Sequence, residues 1–231
     1  KVDQPLGMTA LIYASAQPVT LLPGGELYRS RALERHRGVP MRLSAPLFTV
    51  QGILEGVAMA SVAVVATFLL GFQQIPVLFA ALLVLLAFLL VRNGYLESVG
   101  KLGRRLPWVS MSAKSVHDFS RGNQRLLGGR KFIWLLLWSV GIEIIGAAVA
   151  LVAVLGVGGG VSILQAALIY IIPALVGFVS LLPAGLGANE QSAIGLLLAM
   201  SQGGGIAVAA TLVLRVSLVG FGIALGSATW A

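Results

Sequence analysis

Residues 144–189 read IIGAAVALVAVLGVGGGVSILQAALIYIIPALVGFVSLLPAGLGAN and contain no charged side chain. A helix needs about 20 apolar residues to cross about 30 Å of hydrocarbon, so this stretch has room for two crossings. A second uncharged stretch, residues 56–91, has room for two more. The pattern predicts an all-α fold, a polytopic helical membrane protein.

The composition agrees with this prediction. Hydrophobic residues make up 58% of the 231 positions and charged residues 10%, whereas soluble domains carry about a quarter charged residues. The absence of cysteine excludes disulfides and thiolate metal sites. We expect one transmembrane domain over residues 1–231, and the lack of a signal peptide suggests that this polypeptide begins partway through a longer one.

Individual spans follow from the apolar runs and their breaks. Residues 6–22 are interrupted by Gln17 and Pro18, which predicts either a kinked span or a re-entrant half-helix. The other expected spans are residues 47–70, 77–91, 133–155, 161–182 and 206–230, and Pro173 is expected to interrupt the span 161–182. Residues 190–200 are too short to cross alone.

Basic residues set the expected orientation. Fourteen of the sixteen Lys and Arg residues lie in residues 29–42 and 92–131, on either side of the hairpin formed by residues 47–91. Cytoplasmic loops are enriched in Lys and Arg, so we expect loops 23–46 and 92–131 to be cytoplasmic and the protein to lie in the inner (plasma) membrane. Within the second loop, residues 110–127 suit either an interfacial helix or a solvated basic segment. We expect no nucleic-acid partner.

An internal repeat joins the two ends of the chain. Residues 19–25 (VTLLPGG) match residues 179–185 (VSLLPAG), and a carboxylate follows each, Glu26 and Glu190. Proline and glycine break a helix, and inside a bilayer a broken helix survives only against protein or water. Paired breaks predict broken or re-entrant helices that line a transporter's binding site. The alternative is that each Pro-Gly step simply ends a span.

Four charged residues fall within apolar stretches: Glu55, Glu143, Glu190 and Arg215. A charge at a helix centre costs about 2.5–3.5 kcal/mol on insertion scales, so such residues are expected to be paired or to line a wet cavity. Glu190 and Arg215 are the expected ion pair, serving either a polar route or helix register. Glu55 and Glu143, nearer span ends, are expected to face solvent or headgroups.

These motifs resemble the lysylphosphatidylglycerol synthase transmembrane-region family, also called flippase-like membrane proteins. The early element is Leu22-Pro23-Gly24-Gly25-Glu26-Leu27-Tyr28-Arg29, and the late one is Leu182-Pro183-Ala184-Gly185-Leu186-Gly187-Ala188-Asn189-Glu190. Glu143, Arg215 and Glu55 resemble further charged positions of the family. Ala184 replaces a usual glycine and Asn189 a usual arginine.

The resemblance implies a lipid translocase that moves a phospholipid, anionic or aminoacylated, along a polar groove. The substrate-binding residues would be Pro23, Gly24, Gly25, Glu26, Arg29, Glu143, Pro183, Gly185, Gly187, Glu190 and Arg215. An ion-coupled transporter of a small solute, or a membrane anchor for a fused or partner synthase domain, are the alternatives. A homo-oligomer is also open. No catalytic, metal or cofactor motif is found, so we expect no enzyme activity, metal or cofactor.

Overall fold

The computed structural model describes residues 6–20, 26–72, 130–180 and 182–228, together with Ala80. Within these ranges the chain is helical and contains no β-strand. Residues 77–79 and 81–91 of one expected span, nearly all of the 92–131 loop, and Pro23, Gly24 and Gly25 lie outside the described residues. The all-α prediction is confirmed for the described part, whereas the re-entrant helices and the internal repeat stay predictions.

The described helices are as follows. They are α1 (Leu6–Ser15), α2 (Gln17–Thr20), α3 (Glu26–Arg37), α4 (Met41–Leu69), α5 (Arg130–Gly156), α6 (Ile163–Val179), a 3₁₀ turn (Pro183–Gly185), α7 (Ala188–Ala199), α8 (Gly204–Arg215), a π-helical turn (Val216–Gly220) and α9 (Phe221–Ala228). Helices α4, α5 and α6 pack against one another, α8 packs on α5, α7 joins them through α6 and α8, and α9 packs on α1 and α2.

Two helical stretches are long and apolar enough to cross a membrane. They are Phe132–Gly156 and Gly204–Ala228, of 25 residues each. Only 28% and 22% of their most apolar windows are buried inside the protein. The core helix of a soluble protein would be mostly buried, so the outward apolar faces suit contact with lipid. The apolar parts of α4 and α6, Leu54–Leu69 and Ile163–Gly177, are shorter.

Small residues fill the core between these helices, and large apolar residues point outward. One buried cluster contains Ala150, Ala153, Ala166, Ala207 and Ala210, whereas Trp134, Trp138, Ile145 and Val152 on α5 are more than half exposed. Helices in a bilayer gain little from burying large apolar groups away from lipid, and small residues let their backbones approach closely. The distribution is that of a membrane bundle.

Two expectations about individual segments are wrong. Much of the expected 23–46 loop is helical, because Glu26–Arg37 form α3 and α4 begins at Met41. Glu, Leu, Arg and Ala, which favour helix, make up most of residues 26–37. The predicted interruption at Pro173 is absent, since α6 runs unbroken from Ile163 to Val179 with Pro173 buried inside it. Neighbouring helices can satisfy the groups that a proline frees.

Candidate functional site

An ion pair connects α7 to α8 beside the turn that follows α6. Arg215 Nε lies 2.7 Å from Glu190 Oε1, and the two side chains are 20% and 23% exposed. Arg215 Nη2 also donates a hydrogen bond to the carbonyl oxygen of Ala184. The expected pairing of Glu190 with Arg215 is confirmed. One guanidinium therefore ties the 3₁₀ turn and the start of α7 to the end of α8.

Glu190 has a second structural task at the start of α7. Its Oε2 accepts a hydrogen bond of 2.6 Å from the backbone N–H of Gly187. A glutamate at the third helical position that binds the N–H of the capping residue satisfies one of the donors left free at a helix start. Its negative charge also suits the positive end of the helix dipole. The carboxylate thus uses one oxygen for the cap and the other for Arg215.

The turn between α6 and α7 needs unusual backbone angles. Ala184, Gly185 and Gly187 have positive φ values of 53°, 63° and 83°. A Cβ added to Gly185 would lie 2.7 Å from Gly177 Cα on α6, so no other residue fits there without displacing backbone. The Pro-Ala-Gly sequence therefore forms a turn in which the chain leaves α6, contacts α6 again at Gly177 and then begins α7.

Ala184 is the strained member of this turn. A left-handed conformation costs an L-residue about 1–2 kcal/mol, whereas glycine adopts it freely. The gain from Ala184→Gly is offset by the larger entropy of glycine in the unfolded chain, about 0.4–1 kcal/mol. We expect this variant to be slightly more stable, by less than about 1 kcal/mol, and to keep the Arg215 contact, which uses the backbone carbonyl. A thermal unfolding midpoint clearly below the wild-type value would contradict this account.

A π-helical turn, Val216–Gly220, begins directly after Arg215. Such turns are rare and frequently lie at functional sites. This wider turn lies between α8 and α9, directly after Arg215. Nothing in the sequence pattern of residues 216–220 predicts it.

A second polar group, the polar chain, connects α1, α3 and α4. Arg29 Nη1 donates to Tyr13 Oη over 3.0 Å, and its guanidinium lies 4.0 Å from the centre of the Tyr13 ring. Gln51 Nε2 donates to Tyr13 Oη (2.6 Å) and to Glu55 Oε1 (2.8 Å). We define the polar chain as Arg29, Tyr13, Gln51 and Glu55.

Glu143 lies close to one end of the polar chain, deep in the bundle. Its side chain is 1% exposed, and its Oε2 has no hydrogen-bond partner among the described residues. Glu55 and Tyr170 are near enough to interact with it electrostatically. The expectation that Glu143 faces solvent or headgroups is therefore wrong: it lies about four turns into α5, and its side chain is buried.

An apolar groove runs between α4, α5 and α6. It has a volume of about 350 Å³ and is open to the outside. Its walls include Ser61 and Val65 from α4, Val140 and Ile144 from α5, and Ile163 and Ala167 from α6. The Ser61 hydroxyl donates to the Val57 carbonyl, 2.7 Å away, so it adds little polarity to the wall. The groove borders the seam between α4 and α5 that also contains Glu55 and Glu143.

The predicted site residues divide into separate groups. Pro183, Gly185, Gly187, Glu190 and Arg215 lie together at the turn, which we call the ion-pair site. Arg29 belongs to the polar chain and Glu143 to the α4–α5 seam. Glu26 begins α3. No described contact joins Arg29 or Glu143 to the ion-pair site. The single groove in which Glu26, Arg29, Glu190 and Arg215 meet stays a prediction.

Several polar residues of these groups were not predicted. Tyr13, Gln51 and Tyr170 are polar residues inside apolar runs, and Gln51 stands four positions before Glu55, a spacing that brings side chains together on a helix. That spacing could have indicated the polar chain. Among the described residues no cluster of three His, Cys, Asp or Glu residues has the arrangement of a metal site.

The fold and the sites define a helical membrane protein with two polar groups inside an alanine-packed bundle. The model of the lysylphosphatidylglycerol synthase TM region family matches residues 7–226. This match covers most of the chain, which therefore belongs to that family. No curated protein and no solved structure matches the chain significantly.

Proposed function

We propose that this protein moves a phospholipid across the bilayer, with the lipid headgroup passing the ion-pair site. The observation that carries the proposal is the partly exposed Glu190–Arg215 pair beside a non-helical turn. Zwitterionic, anionic and aminoacylated headgroups all carry charges that such a pair can bind in turn. Membership in a family named for a lipid synthase's membrane region supports a lipid as the substrate.

The remaining surface suits the apolar part of a lipid. The groove between α4, α5 and α6 has apolar walls, and the long helices present apolar residues to the bilayer. A lipid needs a polar route for its headgroup only, because its acyl chains can stay in hydrocarbon. A partly exposed ion pair on a bundle with outward apolar faces offers that combination.

The basic segments complete the proposal. Arg31 and Arg35 on α3 belong to the basic segment 23–46, and with the 92–131 segment they would lie at the cytoplasmic face of the plasma membrane. Each Lys or Arg near an anionic leaflet contributes about 1 kcal/mol of attraction. These segments would concentrate anionic lipid at the cytoplasmic entrance to the site.

Two alternative functions would require different structural features. An ion-coupled transporter of a small solute would need an aqueous cavity closed to lipid, whereas the described groove is open and apolar. A membrane anchor for a synthase domain would need no exchangeable ligand, and its charged residues would be structural. A protein that binds and moves lipid on its own excludes the anchor as its whole function.

Reconstitution tests the proposal. Purified protein in liposomes that contain fluorescent phosphatidylglycerol, phosphatidylethanolamine or lysyl-phosphatidylglycerol is expected to move at least one of them between leaflets, measured by quenching the outer leaflet. The control for variants of the ion-pair site is Gln202→Ala. It removes the hydrogen bonds to the Gly160 N–H and C=O, which lie far from that site. Equal rates in protein-containing and protein-free liposomes for every headgroup would contradict the proposal.

A further inference from the structure

Among the described residues, no cation pairs with the enclosed carboxylate of Glu143. Its side chain is 1% exposed, and its Oε2 makes no hydrogen bond within the described part of the chain. The neighbouring charge is another carboxylate, Glu55, which lies close enough to repel it. Burying an ionised carboxylate without a partner costs far more than burying its neutral form. Two adjacent carboxylates also disfavour the doubly ionised state.

Within the described part of the chain, the helices packed against α5 are α4, α6 and α8. The titratable group of α4 that neighbours Glu143 is Glu55, and on α6 it is Tyr170, whose ring lies directly over Gly146. On α8 it is Arg215, which is engaged with Glu190 and the Ala184 carbonyl. The cation of the polar chain, Arg29, is connected to Glu55 through Tyr13 and Gln51.

Glu55 and Glu143 differ in their burial and in their hydrogen bonds. Glu55 is half-buried and accepts a hydrogen bond from Gln51. Glu143 has a free oxygen in an enclosed position, where an added proton removes the buried charge. Both lie about four turns from the basic starts of α4 and α5. The two acids thus lie at similar positions along their helices but in different environments.

We propose that Glu143 is a proton-binding site that holds one exchangeable proton, with Glu55 as its acidic neighbour. The reaction is the dissociation of one carboxylic acid: the O–H bond breaks, the electron pair stays on the carboxylate, and the proton goes to water. The site goes beyond lipid movement, because it depends only on the burial and neighbours of these two acids.

Infrared difference spectroscopy of protein in liposomes tests the site. Wild type is expected to show the C=O stretch of a protonated carboxylic acid at neutral pH, and to lose it at alkaline pH. Glu143→Gln, an isosteric neutral variant, is expected to lose the band. Glu55→Gln, which leaves Glu143 in place, is expected to keep it. Glu34→Gln, the matched control, removes an exposed carboxylate on α3 and is expected to leave the band unchanged.

A stability measurement guards against misfolding of a variant. Ionising Glu143 in the folded protein is unfavourable, so the thermal unfolding midpoint of wild type is expected to fall as pH rises. Glu143→Gln is expected to lack this fall and to stay folded.

Three results would overturn the proposal. They are a wild-type protein without the protonated-acid band at neutral pH, a band that survives in Glu143→Gln, and a band that disappears when sodium replaces choline. The last result would identify a cation site instead. None of these measurements depends on lipid movement. A failure of the proton site can therefore be distinguished from a failure of the proposed function.

Discussion

Replacing Arg215 by leucine is expected to slow lipid translocation at least about tenfold, which corresponds to about 1.4 kcal/mol. The variant leaves Glu190 without its cation and frees the Ala184 carbonyl from its side-chain donor. Removing one partner of a buried pair costs about 3–5 kcal/mol. That cost is one of folding stability. Because both side chains are 20% or more exposed, we expect the loss of stability in this variant to be smaller. The rate is measured with the fluorescent lipid that wild type moves best.

Two further variants separate the charge from the helix cap. Glu190→Gln keeps an oxygen that can accept the Gly187 N–H bond but removes the charge, so we expect a similar loss of rate with little loss of stability. Arg215→Lys keeps the charge but cannot present the planar guanidinium that contacts both Glu190 and Ala184, and we expect an intermediate rate. Wild-type rates in Arg215→Leu and Glu190→Gln would show that the pair has only a structural role.

Adding one methyl group at Gly185 is expected to destabilise the protein strongly. Gly185 has a φ of 63°, and its Cβ would lie 2.7 Å from the Cα of Gly177 and 3.2 Å from its carbonyl carbon. Both atoms belong to the backbone of α6 and cannot move aside as a flexible side chain can. Backbone strain and overpacking each cost about 1–3 kcal/mol. Gly185→Ala should therefore unfold at a clearly lower temperature, as followed by tryptophan fluorescence.

Gly195 provides the matched control for this substitution. It lies inside α7, and a Cβ there meets no atom within 4 Å. Alanine is the better helix former by about 1 kcal/mol, so Gly195→Ala is expected to be neutral or stabilising. Equal unfolding midpoints for Gly185→Ala and wild type would show that the turn and α6 do not approach each other as closely as described.

The sequence predicted the helices of the bundle because their cause is local. Charge-free runs, proline and glycine positions and basic flanks are properties of neighbouring residues, and they correctly indicated the long apolar helices 132–156 and 204–228. The Glu190–Arg215 pair was also predictable, since a short link between α7 and α8 leaves few other partners for two charges in apolar helices.

The contacts that depend on how helices pack were not predictable in the same way. Whether Glu143 faces lipid or the core depends on the rotation of α5 against α4 and α6, and apolar residues surround it on every side of the helix. The contact of Gly177 with Gly185 depends on the path of a turn with three left-handed residues. One sequence without relatives aligned to it contains no signal for either.

The most direct test of the central claim is to locate a bound lipid on the protein. A phospholipid with a photoreactive headgroup is incorporated into liposomes with the wild-type protein, irradiated, and the adducts are mapped by mass spectrometry. We predict adducts in residues 182–190 and next to Arg215, reduced in Arg215→Leu. Adducts confined to the outward faces of Phe132–Gly156 and Gly204–Ala228, unchanged by that substitution, would contradict a headgroup site at the ion pair.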